Sequence, residues 1–361
     1  MGTLRIDVMV GRLGDRLKQR APDLGVERIT SLKRSPGGLS TENYYVDAET
    51  NQGKFTWVMR MDPPGGVLEP YDVIREYRVI KALENSEVPV PKVLYAEEDP
   101  EPLGGRFFLM EFVEGKLFVH TDPRFQQDEK LRADTLTTYI EVLAKMHKTP
   151  PPEALLPPLE GMSYGQSEAL RCKRRLEEVE LLPRPLMRYV IQKLEEYAPS
   201  EGPRVIVHGD FRLSNMIWRD GQIVALLDWE RARLGDPLSD IGFSHQVFLH
   251  GWCSVTGEYA RLYTKLTGFE IDEKRLAFYV LLEYVKALLV AVSAPSVLAQ
   301  GKNNDLRLFS VGFAGMSLEP MALNFVDELI QKAKGCQIDD LSDILPNPYG
   351  SQTIFRRQYF S

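Results

Sequence analysis

Residues 205–242 read VIVHGDFRLSNMIWRDGQIVALLDWERARLGDPLSDIG, and three polar residues within them, Asp210, Asn215 and Asp228, decide how the rest of the chain is read. Val205-Ile206-Val207 is a β-branched run that predicts a short buried strand. It leads into His208-Gly209-Asp210, where glycine permits a tight backbone path. Met216-Ile217-Trp218 and Gln222 to Leu227 are apolar runs joined at Asp220-Gly221, a strong two-residue hairpin signal. Folding at that pair sets Asn215 opposite Leu226. Asp228 then falls two residues further along the same face, a diagonal neighbour at about 7–8 Å.

An amide and a carboxylate so placed can converge on one hard cation. Mg²⁺ takes a carboxylate and a few other oxygens and keeps water and substrate phosphate in its shell. Asp210, five residues before Asn215, faces the same space and is placed to orient an attacking hydroxyl and accept its proton. Each residue also has an ordinary reading. Asp210 can be a turn or helix cap, Asn215 can close a turn on its own backbone, and Asp228 can cap a strand end. It is the three together, across a hairpin, that favour chemistry. His208 is read as structural, holding the loop by hydrogen bonds. Asp236 and Asp240 are read as supports, with Asp240 capping the apolar run it opens and tying down the loop.

The stretch resembles the catalytic region of the aminoglycoside phosphotransferase family, small-molecule relatives of protein kinases. His208-Gly209-Asp210 with Asn215 matches H-G-D-x-x-x-x-N, Leu227-Asp228-Trp229-Glu230 matches the metal-binding I/L-D-W/F-E, and Gly235-Asp236-Pro237 with Asp240 matches G-D-P-x-x-D. The last two look most like the kinase-like domains linked to acyl-CoA dehydrogenases. The resemblance covers residues 27–300 or so. It implies an α+β, two-lobed protein-kinase-like fold: an N-lobe over residues 1–112, with an antiparallel sheet and a helix, and a larger, mainly helical C-lobe over 113–361. It also implies ATP and Mg²⁺ as cofactors, with Asp210 as the catalytic base and Asn215 and Asp228 as metal ligands.

Upstream, Leu4, Val8, Leu13 and Leu17 predict a short amphipathic leader helix. The run from Arg34 to Asn43 is a polar loop between two strands, with Gly37-Gly38 followed by Leu39. Paired glycines let backbone N–H groups approach phosphate oxygens, and Ser40 and Thr41 can add hydroxyl donors; the same pattern also suits a plain hairpin. A third strand runs from Phe55 to Arg60, and a helix from Glu69 to Glu84 is expected to bury Val73, Ile74, Tyr77, Ile80 and Leu83. The resemblance makes Arg60 the cation that grips the α- and β-phosphates, where antibiotic kinases use lysine, and Glu76 its partner. It likewise makes Glu111 and Val113 the backbone contacts for adenine, in a hinge spanning 111–115.

Net charge is −7 over 361 residues, which argues against a general nucleic-acid binder. Three scattered cysteines indicate no disulfide framework or structural zinc, which fits a reducing cytoplasm. The longest apolar run, Ala287 to Ala294, is too short to span a bilayer, so no membrane role is expected. The charge run from Lys173 to Glu180 reads as a solvated helix face, although in the family the segment before the catalytic loop often shapes the acceptor pocket. Two other functions compete with a small-molecule kinase. A non-catalytic nucleotide-binding scaffold is disfavoured because Asp210, Asn215 and Asp228 are all present. A metallohydrolase using His208, Asp210, His245 and His250 is disfavoured by the five-residue spacing of the last two histidines. The partner is expected to be a small molecule with a hydroxyl acceptor, a hydroxyacyl thioester or another metabolite before an aminoglycoside, because no acidic run marks a polycation pocket.

Overall fold

The computed structural model describes residues 5–35, 41–63, 65–68, 70–119, 122–244, 257–303 and 305–312, together with Val326 and Ile330. Helix α1 (Ile6–Arg20) precedes strands β1 (Val26–Arg34), β2 (Glu42–Thr50) and β3 (Gly53–Met61); helix α2 (Val73–Leu83) then precedes β4 (Val93–Glu97) and β5 (Phe107–Glu111). The five strands form one antiparallel sheet in the order β1-β2-β3-β5-β4.

The leader helix is part of this lobe. Met9, Leu13 and Leu17, four residues apart, form its buried line, and Gly14 lies against Ile29 of β1. Val8, expected on that line, falls to the helix edge at 38% exposure, and Leu4 is outside the described residues. Arg16 fastens the helix to Glu97 and Asp99 at the far end of the sheet. Helix α2 begins at Asp72, whose carboxylate accepts from the Arg75 N–H. Its buried face includes Val79 and Glu76, whereas Tyr77 is half-buried, so one of the expected apolar positions is replaced by a carboxylate.

Residues 112–115 lead out of the sheet to β6 (Lys116–Leu117), then α3 (Arg124–Gln127), α4 (Glu129–Lys148), α5 (Tyr164–Val179) and α6 (Pro185–Tyr197). Then come β7 (Val205–Val207), β8 (Met216–Arg219), β9 (Gln222–Leu226), β10 (Arg233–Gly235), α7 (Leu238–Ser244), α8 (Glu258–Thr267) and α9 (Glu273–Ala299). At 27 residues, α9 is long and apolar enough to cross a membrane by length and composition, well beyond the short run the sequence suggested. Most of its apolar stretch is instead buried, packed on α5, α6 and α7. The two lobes share a core. Val79 and Ile80 of α2 and Phe108 and Met110 of β5 belong to the same buried cluster as Tyr139, Leu143, Phe211 and Trp229.

The hairpin turns at Asp220-Gly221, both in the left-handed region as a two-residue turn of this kind needs (φ 51° and 77°). Its register departs from the simple count. Met216 pairs with Leu226 and Ile217 with Ala225, but Trp218 pairs with Ile223, so Val224 is an extra residue, a bulge. The bulge moves Asn215 opposite Leu227, whose N–H donates to the Asn215 carbonyl at 2.8 Å, instead of opposite Leu226. Asp228 therefore lies two residues beyond the end of the strand, not as a diagonal neighbour within it, and it turns the chain with a left-handed backbone (φ 68°).

Candidate active site

The loop after β7 is held from behind by one carboxylate. Asp240, fully buried in α7, accepts the backbone N–H groups of His208 at 2.9 Å and Gly209 at 2.8 Å. Its Oδ2 also meets His147 Nε2 at 3.2 Å, and His147 Nδ1 meets the Tyr263 hydroxyl at 2.7 Å. Burial opposes ionisation of Asp240, but these donors, His147 first, hold its carboxyl below the ordinary range. The helix cap expected of Asp240 is supplied by Asp236, whose Oδ1 accepts from the Leu238 N–H at 2.9 Å. His208 is wholly buried and bridges the loop to the end of the hairpin. Nε2 lies 2.9 Å from the Leu227 carbonyl and so carries the proton, while Nδ1 accepts from the Asp210 N–H at 3.2 Å. That bonding fixes the neutral tautomer, and burial depresses its pKa. Gly209 sits at φ 78°, and a Cβ there would come within 3.0 Å of the Arg231 carbonyl oxygen, so the close passage requires glycine.

This anchoring leaves Asp210 8% exposed, with Asn215 Nδ2 donating to its Oδ2 at 2.8 Å and to its carbonyl at 2.9 Å. Arg212 Nε is 3.1 Å from the other carboxylate oxygen. Burial pushes the Asp210 carboxyl up to about 6, against the pull of Arg212 and with a push from Asp228.

A second cluster joins the lobes. Arg60, near the end of β3, is 3.1 Å from Glu76 of α2 and 2.8 Å from Asp228, with Glu230 at 3.7 Å. Glu76 is 1% exposed and also accepts the Trp229 N–H at 3.1 Å. Arg75 adds bonds to the carbonyls of Glu230 and Ala232 at 2.7 and 2.8 Å. Thus α2 is docked directly on residues 228–232. Three carboxylates surround one guanidinium, so negative charge is in excess. Burial and this excess push Glu76 up to about 7, while Asp228, for which burial also opposes ionisation, is held below the ordinary range by Arg60.

That excess, with the donor types present, fits a hard divalent cation. Asn215 spends its amide N–H groups on Asp210, leaving its amide oxygen, and Asp228 gives Arg60 one carboxylate oxygen and keeps the other. Among the described residues no group of three His, Cys, Asp or Glu is arranged to hold a metal. A cation here would take Asp228 and Asn215 and complete its shell from water and phosphate, as Mg²⁺ does.

The remaining sequence candidates are less concentrated. Thr41 is buried at the start of β2's approach and lines the cleft described below, whereas Gly38 and Ser40 lie outside the described residues. Glu111 ends β5 with an exposed side chain, and its N–H already donates to the Lys92 carbonyl at 2.9 Å, so only its carbonyl could serve an adenine. Val113 lies half-buried in the segment that follows. His245 and His250, the extra ligands of the hydrolase alternative, fall outside the described residues, and His208 has both ring nitrogens committed to backbone.

A cleft of about 340 Å³ opens beside the loop, with Gly209 and Glu230 in its wall. Its floor is a polar network. Glu168 of α5, 3% exposed, meets Lys286 of α9 at 2.9 Å, Arg171 at 3.2 Å and Arg233 at 3.5 Å. Glu283 meets Lys286 at 2.8 Å, Arg231 at 3.3 Å and the Ser239 hydroxyl at 2.6 Å. Arg171, Arg174 and Arg175 of α5 line the cleft, so that helix is not merely a solvated face, although Lys173 does turn outward to Glu195. The one signal available was helical spacing. Residues 168, 171, 175 and 178 recur every three or four positions and fall on one side of α5.

A model of the phosphotransferase enzyme family matches residues 31–279. Acyl-CoA dehydrogenase family member 10 of Mus musculus is 32% identical over 212 residues, 57% of this chain and 19% of that protein. Acyl-CoA dehydrogenase family member 11 of Pongo abelii is 27% identical over 321 residues, 80% of this chain and 39% of its own length. The chain thus spans well under half of these two relatives. Among solved structures, a Ralstonia eutropha protein provisionally classed as an aminoglycoside phosphotransferase superposes with a TM-score of 0.66 at 23% identity, over 88% of this chain and 98% of that one. That likeness establishes the two-lobed, protein-kinase-like fold.

Proposed function

Because the chain belongs to the phosphotransferase enzyme family, we propose that it transfers the γ-phosphoryl group of ATP to a hydroxyl of a small molecule. The observation that carries this reading is the convergence of Asp210, Asn215 and Asp228 at the meeting point of the lobes, with Arg60 and Glu76 brought to the same place from the N-lobe. Asn215 and Asp228 would hold Mg²⁺, which supplies neutralisation of phosphate charge when bound. Arg60 is positioned to share its five donors between the two acids that fix it and incoming phosphate oxygens. Thr41, with Gly38 and Ser40 of the preceding loop, would cover the phosphates, and the backbone at Glu111 and Val113 would receive the adenine. Asp210 orients the acceptor hydroxyl and takes its proton. A carboxyl raised to about 6 remains ionised at neutral pH yet is a better base than an ordinary aspartate. A scaffold role has no use for a buried carboxylate oriented by an amide donor in this way. The two dehydrogenase-linked relatives favour a hydroxylated acyl compound or similar metabolite over an antibiotic as acceptor.

The test is ATP consumption over a panel of hydroxylated metabolites, hydroxyacyl thioesters and aminoglycosides, with the Asp210→Asn protein as blank. Acceptor-dependent ADP release that disappears in the blank is expected. A folded protein that binds no nucleotide with Mg²⁺ present would overturn the reading.

A further inference from the structure

Resting on the reading above, we propose that the cleft beside the catalytic loop receives the acceptor through an anionic group, a carboxylate or a phosphate, seated on Arg171, Arg174 and Arg233.

Among the described residues, six arginines and Lys286 line the cleft against five carboxylates, in a chain whose net charge is −7. Three of those carboxylates are engaged outside the cleft, and a fourth is taken by one of the six arginines. Glu76 and Glu230 face Arg60, Asp72 pairs with Arg106 at 3.3 Å, and Glu178 pairs with Arg175 at 3.3 Å. Glu168 is left to serve Arg171, Arg233 and Lys286 together. Glu283, behind the wall, takes a second hold on Lys286 and pairs with Arg231. Arg75 bonds to carbonyl oxygens. Arg174, exposed at the cleft, has no ion pair among the described residues. Among the described residues the buried Nη1 of Arg233 finds no acceptor, while that side chain keeps 27% of its surface.

Cations crowded in this way destabilise one another. Arg75 and Arg171 both have their pKa lowered, by burial first and by Arg233 next. An anion in the cleft would relieve that repulsion and gain charge-assisted, bidentate hydrogen bonds from guanidinium groups. Val67, Leu156 and Leu289 add apolar wall to the same cleft that the arginines and Gly209 line. The matching acceptor has a hydroxyl at one end, an aliphatic body and a negative group at the other. A polycation would meet like charge. The volume suits a small molecule.

The probes are ω-hydroxyalkanoates of increasing chain length, the matching ω-hydroxyalkyl phosphates, the neutral ω-hydroxyalkanamides and the cationic ω-amino alcohols. Their affinities are measured calorimetrically on the full chain with Mg²⁺ and AMP-PNP, for the unaltered protein and for Arg174→Ala, Arg233→Ala and Arg174→Glu. Arg174 is exposed, so its variants keep the fold if Arg233→Ala does not.

An anionic series should bind at an optimal length, and its affinity should fall about tenfold or more in each alanine variant. The amides should bind weakly and without change, nucleotide affinity should hold, and Arg174→Glu should improve the amino alcohols. For any anion that is turned over, KM should rise in Arg174→Ala with kcat little altered. Whichever anionic series binds more tightly identifies the group as carboxylate or phosphate.

Amides binding as well as acids, amino alcohols or aminoglycosides binding better, no binding of any anion, or unchanged anion affinity in the variants would each overturn the proposal. So would a parallel loss of nucleotide affinity, which would give the arginines to the triphosphate. Anion binding that depends on the arginines but never leads to phosphorylation would support the subsite and count against the kinase reading instead.

Discussion

Asp210→Asn separates a working carboxylate from a structural one. The substitution keeps the shape and can still accept from Asn215 Nδ2, but it removes the charge that Arg212 faces and the base that the reaction needs. Positioning and general-base roles together are typically worth ~10²–10⁴-fold in rate, so turnover should fall by about that factor while nucleotide affinity changes little. Stability should move the other way. The folded carboxyl holds its proton up to about 6, against an ordinary value of 3.8, so between those limits the folded protein binds more protons than the unfolded chain. Stability therefore declines as pH rises through that window, and above it the ionised, buried Asp210 costs on the order of 1–3 kcal/mol. Asparagine carries no such cost. The variant should melt no earlier than the parent at neutral pH, and its advantage should vanish toward pH 4. Turnover of the parent should show an acid limb near pH 6, where Asp210 gains its proton. The assay is turnover, nucleotide affinity and melting temperature on one preparation across pH. An Asp210→Asn protein that melts early at neutral pH but turns over normally per folded molecule would refute the reasoning, because it would make Asp210 a cap.

Three further outcomes follow from the same contacts. Asp228→Ala should abolish Mg²⁺-dependent nucleotide binding, seen calorimetrically with and without Mg²⁺, while the fold survives because Arg60 keeps Glu76. Arg60→Lys should retain part of the activity, since one ammonium keeps the charge but cannot span Glu76 and Asp228 in the same way; KM for nucleotide is the readout. Asp240→Ala should destabilise by about 2–4 kcal/mol, because it strands two buried N–H groups and removes the partner of His147. As Asp240 titrates below its ordinary value when folded, the stability it contributes is present above that value and is lost as pH falls through the folded pKa, so denaturant titrations of parent and variant should converge in acid.

What the sequence disclosed and what it withheld divide along physical lines. Local chemistry was legible. Asp220-Gly221 demanded a two-residue turn, the β-branched run at Val205 became a buried strand, and the spacing of Asp210 and Asn215 put amide against carboxylate. The bulge at Val224 was not legible, because an extra residue in one strand leaves no mark on alternation as brief as this. It is nevertheless what carries Asp228 off the strand and into reach of Arg60. Amphipathic spacing discloses the leader helix, but Met9 and not Val8 lies on its buried line, since only the partner strand decides which of two adjacent stripes is inside. Least legible was the floor of the cleft. Glu168, Arg233, Glu283 and Lys286 come from three separate elements, and no local pattern announces that one buried carboxylate will serve three cations.

The geometry gives the site two electrical poles, and Asp210 feels both. On one side Arg60 faces three carboxylates, Glu76, Asp228 and Glu230, a surplus of negative charge that a nearby cation would offset. On the other, guanidinium groups outnumber the carboxylates left free to match them. Asp210 is pushed by Asp228 and pulled by Arg231, so it registers both. The Mg²⁺ that accompanies a triphosphate would bring positive charge to the first pole, Arg60 would meet the phosphate oxygens, and an anionic acceptor entering the second would bring the negative charge. Each ligand would thereby offset a repulsion among the protein's own charges. The raised Asp210 carboxyl should shift again as the poles fill: Mg²⁺ beside Asp228 should lower it, and an acceptor anion that neutralises the arginines should raise it. The acid limb of kcat should therefore differ from that of kcat/KM, a separation that a site with balanced poles would not show.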